Sequence, residues 1–213
     1  PLPIIVLENF NRGNIPDKRA GNPPAGDGGG ITQVDRQSAH MTLIDRTGNA
    51  GVQISDQATI SSRIGIRVRG SSSASQPAKH ESYSVETWGA VDDEAVDIEP
   101  FAMPPDNDWI LYAPYNYDRA LVRNTFIYEL SRRMGHYASR TQFVEVFINT
   151  DGGDLTMNDY AGLYVFMEKI KQSSDRVDIE DFSEDGATGG WMIESNRMDS
   201  RPADGSGTAP FNF

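Results

Sequence analysis

"DWILYAPYNYDRALVRN", residues 108–124, joins an apolar strand to a helix and carries an arginine where an oily side chain is expected. "DWILYAP" reads as a short strand ended by Pro114. Asp118 stands as the N-cap of a helix over Arg119–Met134, with Gly135 just past its end. At about 100° per residue, taking Val122 as the origin, Phe126 falls at ~40°, Leu130 at ~80°, Met134 at ~120° and Ile127 at ~140°. Arg123 falls at ~100°, inside that stripe, and Glu129 at ~−20°, on its edge. A charge among apolar side chains is costly unless it is paired or hydrogen-bonded. Two readings stay open. Arg123 snorkels past a core or makes a structural ion pair; or it points into a site, where a guanidinium would hold a phosphate or a carboxylate.

Working outward, most of the remaining apolar segments read as strands. "PIIVLE" (3–8) is a continuous apolar run. "HMTLIDRTGNAGVQI" (40–54) reads as a hairpin turning at Thr47-Gly48-Asn49. "RIGIRVRG" (63–70) puts Ile64, Ile66 and Val68 on one face and Arg63, Gly65, Arg67 and Arg69 on the other. "SYSVETW" (82–88) alternates likewise, with Tyr83, Val85 and Thr87 sharing a face. "TQFVEVFIN" (141–149) and "YAGLYVFME" (160–168) follow the helix, joined by the protruding linker 150–159, and "GGWMIES" (189–195) reads as a last strand. Residues 11–38 are loop-rich, dense in Gly, Pro, Asn and Asp. Strands do not alternate with helices, so a doubly wound fold is excluded. The expected class is α+β: an antiparallel sheet with one major helix.

Charge and composition narrow the function. Lys and Arg number 19 against 31 Asp and Glu, a formal net charge of −12. That argues against a nucleic-acid binder, which needs a basic surface, and suits basic partners. No cysteine is present, which excludes disulfides, thiolate metal sites and a Cys nucleophile. No apolar run approaches the ~18 residues of a membrane span, and no signal peptide is visible. His40, His80 and His136 lack metal-ligand spacing, and neither "DGGD" (151–154) nor "DIEDF" (178–182) matches a calcium loop. No nucleophile-elbow motif is present.

Two further stretches bear on chemistry. "RVRGSSSASQPAK" (67–79) follows a strand with serines and a lysine. Its backbone N–H groups and hydroxyls suit an anion, and equally a plain serine-rich turn. It is not a P-loop. "YVFMEKIK" (164–171) is an apolar strand that breaks into charges at Glu168, reading either as a ligand-presenting strand end or as a surface exit.

Taken in order, "RVRGSSS", "DWILYAPYNYDRALVRNTFIYELSRRMG", "RTQFVEVFIN", "YAGLYVFMEKIK" and "GGWMIES" resemble the spore-coat-protein-H (CotH) kinase family, over residues 63–196. The resemblance implies a secreted or cell-surface protein with an atypical kinase-like fold, the sheet forming its N-terminal lobe. It implies ATP with Mg²⁺ as cofactors and transfer of phosphate to serines of a protein substrate, itself basic and serine-rich. The alternative is a non-catalytic surface, adhesion or coat scaffold that reuses the fold. On the resemblance, Arg69, Ser71, Ser72 and Lys79 would meet the phosphates, Glu129 would partner Lys79, Arg123 would face the cleft, and Met167, Glu168 and Lys169 would lie near the adenine. The family's catalytic and metal-binding aspartates belong to a "WDFD"-like region of a C-terminal lobe. No such motif occurs here, so the resemblance implies an incomplete single domain over 1–213 with no catalytic or metal-binding residue of its own.

Overall fold

The computed structural model describes residues 2–16, 36–45, 51–69, 81–115, 118–181, 183 and 188–190. Its strands are β1 (Ile4–Glu8), β2 (Gln37–Ile44), β3 (Ile60–Arg69), β4 (Ser82–Trp88), β5 (Asp108–Tyr112), β6 (Thr141–Asn149) and β7 (Tyr160–Glu168), with one helix, α1 (Arg123–Arg133), between β5 and β6. Single turns of 3-10 helix lie at Pro100–Ala102 and Met157–Asp159.

These strands close on themselves in the order β1-β2-β3-β4-β5-β7-β6. The expectation of an α+β fold, a kinase-like N-terminal lobe built on an antiparallel sheet, is therefore corrected: this is a closed, mixed, seven-stranded barrel with one short helix. The mixed character follows from the count. Directions can alternate all round a ring only if the number of strands is even, so seven strands require a parallel pair. That pair is β1 with β6, running from Ile4 beside Glu145 to Glu8 beside Asn149, while the other edge of β1 is antiparallel to β2. Bonds outside the strand ladder extend the seam, from Glu145 N–H to the Pro3 carbonyl (2.9 Å) and from Asn9 N–H to the Asn149 carbonyl (3.1 Å). A strand paired along both edges and packed inside a closed barrel suits the unbroken apolar run of β1.

The barrel interior is filled by alternate residues of every strand. Ile64, Ile66 and Val68 of β3, Tyr83 and Val85 of β4, Trp109 and Leu111 of β5, and Tyr164 and Phe166 of β7 belong to one buried cluster. Trp109 and Phe166 stack at 5.1 Å, and the Tyr83 and Tyr164 rings at 6.3 Å, where burial pushes both phenols upward. Outside the barrel wall, Trp88 lies flat over Gly65, leaving no room for a Cβ there, and Arg63 stacks on its indole at 5.1 Å.

Two local expectations change as well. The hairpin partner expected for β2 around Gly51–Ile54 is not a strand; β2 pairs instead with β3, Leu43 beside Ile60. The helix begins at Arg123, not Arg119, because Leu121 adopts a left-handed φ of 63° and breaks the helical path. The N-cap position therefore falls to Val122, not Asp118, and carries no side-chain cap; the buried Asp118 carboxylate still meets the helix start, accepting from the Ala120 N–H (3.0 Å) and the Arg123 N–H (2.7 Å). The far end closes in a Schellman turn, with His136 N–H on the Ser131 carbonyl (3.1 Å), Gly135 N–H on that of Arg132 (2.9 Å), and Gly135 at φ 86°. The strand expected at 189–195 lies mostly outside the described residues.

Candidate functional site

The start of β5 and the end of β7 meet at one mouth of the barrel, with Trp109 beside Glu168 in register. Each strand carries charge there. The segment before and into β5 supplies Asp106 and Asp108; β7 and the turn after it supply Glu168, Lys169, Lys171 and Arg176. Arg140 comes from the approach to β6 and Arg36 from the approach to β2.

Glu168 is the deepest of these, at 0% exposure. Its Oε1 pairs with Arg140 Nη1 at 2.7 Å and its Oε2 accepts from the Arg140 N–H at 2.8 Å and from the Tyr137 hydroxyl at 3.4 Å. Arg176 is almost as deep, its side chain 1% exposed. It donates to the Lys169 carbonyl (2.6 Å) and the Asp108 carbonyl (3.2 Å), pairs with Asp106 Oδ2 (3.2 Å), and lies over the Trp109 ring at 5.2 Å. Asp106 Oδ1 takes Lys171 Nζ at 2.7 Å and the Asp108 N–H at 2.7 Å. Asp108 is flanked by Lys169 Nζ at 3.1 Å, Lys171 Nζ at 3.4 Å and Arg36 Nη2 at 3.5 Å. Arg36 also reaches Glu86 (3.3 Å) and the Ser84 hydroxyl (3.2 Å). Burial alone would raise the Asp108 carboxyl, but the hydrogen bond and charge of Lys169, with Lys171 behind it, outweigh this and hold it below the ordinary carboxylate range.

A buried ion is tolerable when it is paired and hydrogen-bonded, and Glu168, Arg176, Asp106 and Asp108 each are. The network ties the exit of β7 to β5, β6 and the Arg176 turn, so its chemistry is fixation of backbone. Asp106, Asp108 and Glu168 are each committed to cations, and among the described residues no three His, Cys, Asp or Glu side chains are grouped to hold a metal ion. At this mouth, then, none of these three carboxylates is left over to hold Mg²⁺.

The residues singled out in the sequence are spread around this mouth and beyond it. Glu168 lies inside the network. Met167, its neighbour, turns to the outer wall with Ile110 and Val165, where Phe143 and Tyr128 of α1 pack against it. Arg69 ends β3 and is exposed. Arg123 heads α1 with its side chain 75% exposed, its Nε 3.5 Å from Asp118. Glu129 holds two arginines of its own helix, Arg132 at 2.6 Å and Arg133 at 2.7 Å, and the hydrogen bonds of Arg133 and then Arg132 keep its carboxyl below the ordinary range. Ser71, Ser72 and Lys79 lie outside the described residues. Of the set, the structure joins Met167 and Glu168 in one strand and sets α1 against that strand through Tyr128; it does not bring Arg69, Arg123 and Glu129 into contact with them.

The mouth residues that the sequence did not single out are Asp106, Asp108, Arg140, Lys171, Arg176 and Arg36; Lys169, grouped with Met167 and Glu168 by the resemblance, lies among them on Asp108. A signal was present: apolar "WIL" is preceded by "DND", and apolar "YVFM" is followed by "EKIK", so opposite charges begin and end two strands that turn out to be neighbours.

No curated protein matches the chain. A protein-family model described as CotH kinase protein matches residues 66–205, a span that holds the last four residues of β3, all of β4 to β7, α1 and the Arg176 turn. β1 and β2, which close the barrel, lie before it. The match covers more than half of the sequence, and the chain belongs to the CotH kinase protein family.

Proposed function

We propose that the protein serves as an atypical kinase, passing the terminal phosphoryl group of ATP to serines of a partner protein on a spore coat or cell surface. Family membership is the observation that carries this reading. Phosphoryl transfer is achieved mostly by positioning and charge neutralisation. The barrel supplies a rigid frame for that purpose: the charge network at its mouth fixes the segment following β7, and the β3 end displays Arg69, a guanidinium suited to bidentate phosphate contact. Ser71, Ser72 and Lys79, which follow in the sequence, would add hydroxyl, backbone and ammonium donors. No step is assigned to Mg²⁺, since the mouth carboxylates Asp106, Asp108 and Glu168 are paired with cations. That same commitment favours a second reading, a coat or surface scaffold that uses the fold without chemistry. Among the described residues, no helix is long and apolar enough to cross a membrane.

The test is ATP titration and phosphotransfer with the product of the intact gene, using a basic serine-containing peptide as acceptor. Arg69→Ala and Lys79→Ala should each weaken nucleotide binding and transfer at least tenfold, with the melting temperature unchanged for Arg69→Ala. No nucleotide binding and no transfer by the unaltered protein would favour the scaffold.

A further inference from the structure

The helix α1 is turned with its oil outward. Tyr128 rests on the barrel wall and Arg132 donates to the Ser139 carbonyl at 2.5 Å, so the polar side of the helix faces the barrel. On the opposite side Val122, Phe126, Ile127, Leu130 and Met134 are all exposed, Phe126 to 65%. Isolated apolar residues on a surface are ordinary, but five in one stripe, interspersed with charge, mark a place where another surface sits. Two arginines lie within the stripe, Arg123 at ~100° and Arg133 at ~20° on the wheel. Their side chains are 75% and 76% exposed. Three arginines of the helix share two carboxylates: Asp118 lies 3.5 Å from Arg123, and Glu129 takes both Arg133 at 2.7 Å and Arg132 at 2.6 Å, so this surface keeps an excess of positive charge.

We propose that this face docks an apolar segment of a partner protein whose flanks carry carboxylates about 15 Å apart, the separation of Arg123 and Arg133 along a helix. A second copy of the chain fits poorly. Antiparallel packing of α1 on itself sets Arg123 against Arg133, and parallel packing sets each against its own like. The formal net charge of −12 does not forbid an acidic partner, because charges beyond about 8 Å are screened at physiological salt. The surface is separate from the barrel mouth, so it stands whether or not phosphotransfer does.

The probe is a synthetic helical peptide with Leu and Phe at i, i+3, i+4 and i+7 and Glu at two positions ten residues apart, beside a sister peptide with Lys at those positions. Fluorescence polarisation at physiological salt reads the binding. The Glu peptide should bind at least tenfold more tightly than the Lys peptide, the Arg123→Glu/Arg133→Glu variant should reverse that order, and Phe126→Ser should abolish binding with its circular-dichroism melt unchanged. Absence of binding, or equal binding of the two peptides, would overturn the proposal. So would a concentration-dependent dimer, seen in sedimentation and lost in Phe126→Ser, which would give the face to a second copy.

Discussion

Arg176 and Arg123 each lie near a carboxylate, yet the first side chain is 1% exposed and the second 75%. Around Arg176 the fold has gathered two backbone carbonyls, Asp106 and the face of Trp109. Around Arg123, among the described residues, it is Asp118 that approaches, at 3.5 Å, and that carboxylate is already bound to backbone N–H groups. Charge goes inside at the barrel mouth because it is paired and hydrogen-bonded there. On α1 it stays outside, in the company of apolar side chains that are also outside. The mouth is built to be held still, and the helix is built to be met.

The largest expected break in this contrast is Arg176→Met. Removing one member of a buried network leaves partners unpaired, and the loss should be about 3–5 kcal/mol, measured by urea unfolding. Arg123→Met in the same assay should stay within about 0.5 kcal/mol. Equal losses would erase the distinction between the two arginines.

A smaller break lies on the outer wall. Gly65→Ala drives a Cβ into the Trp88 indole, and displacing the ring and its Arg63 partner should cost about 1–3 kcal/mol. A fall in the melting temperature checks it, with tryptophan fluorescence reporting the ring.

The strands on which both arguments stand were largely legible in the sequence. "RIGIRVRG" shows by alternation alone that Ile64, Ile66 and Val68 share a face, and they fill the barrel. What alternation cannot show is partnership. β1 beside β6 sets residue 4 against residue 145, and nothing in "PIIVLE" names so distant a second neighbour, so alternation does not reveal closure. The helix repeats the lesson. Its wheel groups Val122, Phe126, Leu130 and Met134 correctly as one stripe, but a wheel carries no information on which side meets the barrel. Asp118 is readable as an acceptor at the helix start, though the cap itself falls to Val122; the left-handed Leu121 that delays the helix is not readable, since a leucine gives no signal for that conformation. At the mouth, Glu168 stood out as the point where a strand turns charged, whereas Arg140 and Arg176 became its partners only through the fold.

The acid limb of stability sharpens the picture of the mouth. Asp108 titrates below its ordinary value of 3.8 in the folded protein. An unfolded chain therefore takes up its proton first, and the stabilisation is present above the ordinary value and lost as pH falls through the folded one. Lys169, Lys171 and Arg36 face this carboxylate, with Asp106 and Glu86 nearby. Asp108→Asn should lower stability at neutral pH and flatten the acid limb; Lys169→Met should move that limb to higher pH. Melting temperature against pH reads both.

The smallest expected effects belong to α1. Phe126→Ala and Leu130→Ala remove exposed groups and should change stability by no more than about 0.5 kcal/mol, where a buried leucine would cost about 2–5 kcal/mol. Urea unfolding distinguishes these ranges.

The outward turn of α1 is tested most directly by thiol labelling, since the sequence contains no cysteine to interfere. Single variants Phe126→Cys, Leu130→Cys and Tyr128→Cys are mixed with a maleimide under native conditions and their rates compared with that of a free thiol. The structure predicts fast labelling at 126 and 130 and slow labelling at 128. Slow labelling at 126 and 130 with fast labelling at 128 would mean that the helix buries its apolar stripe, and the account would be contradicted.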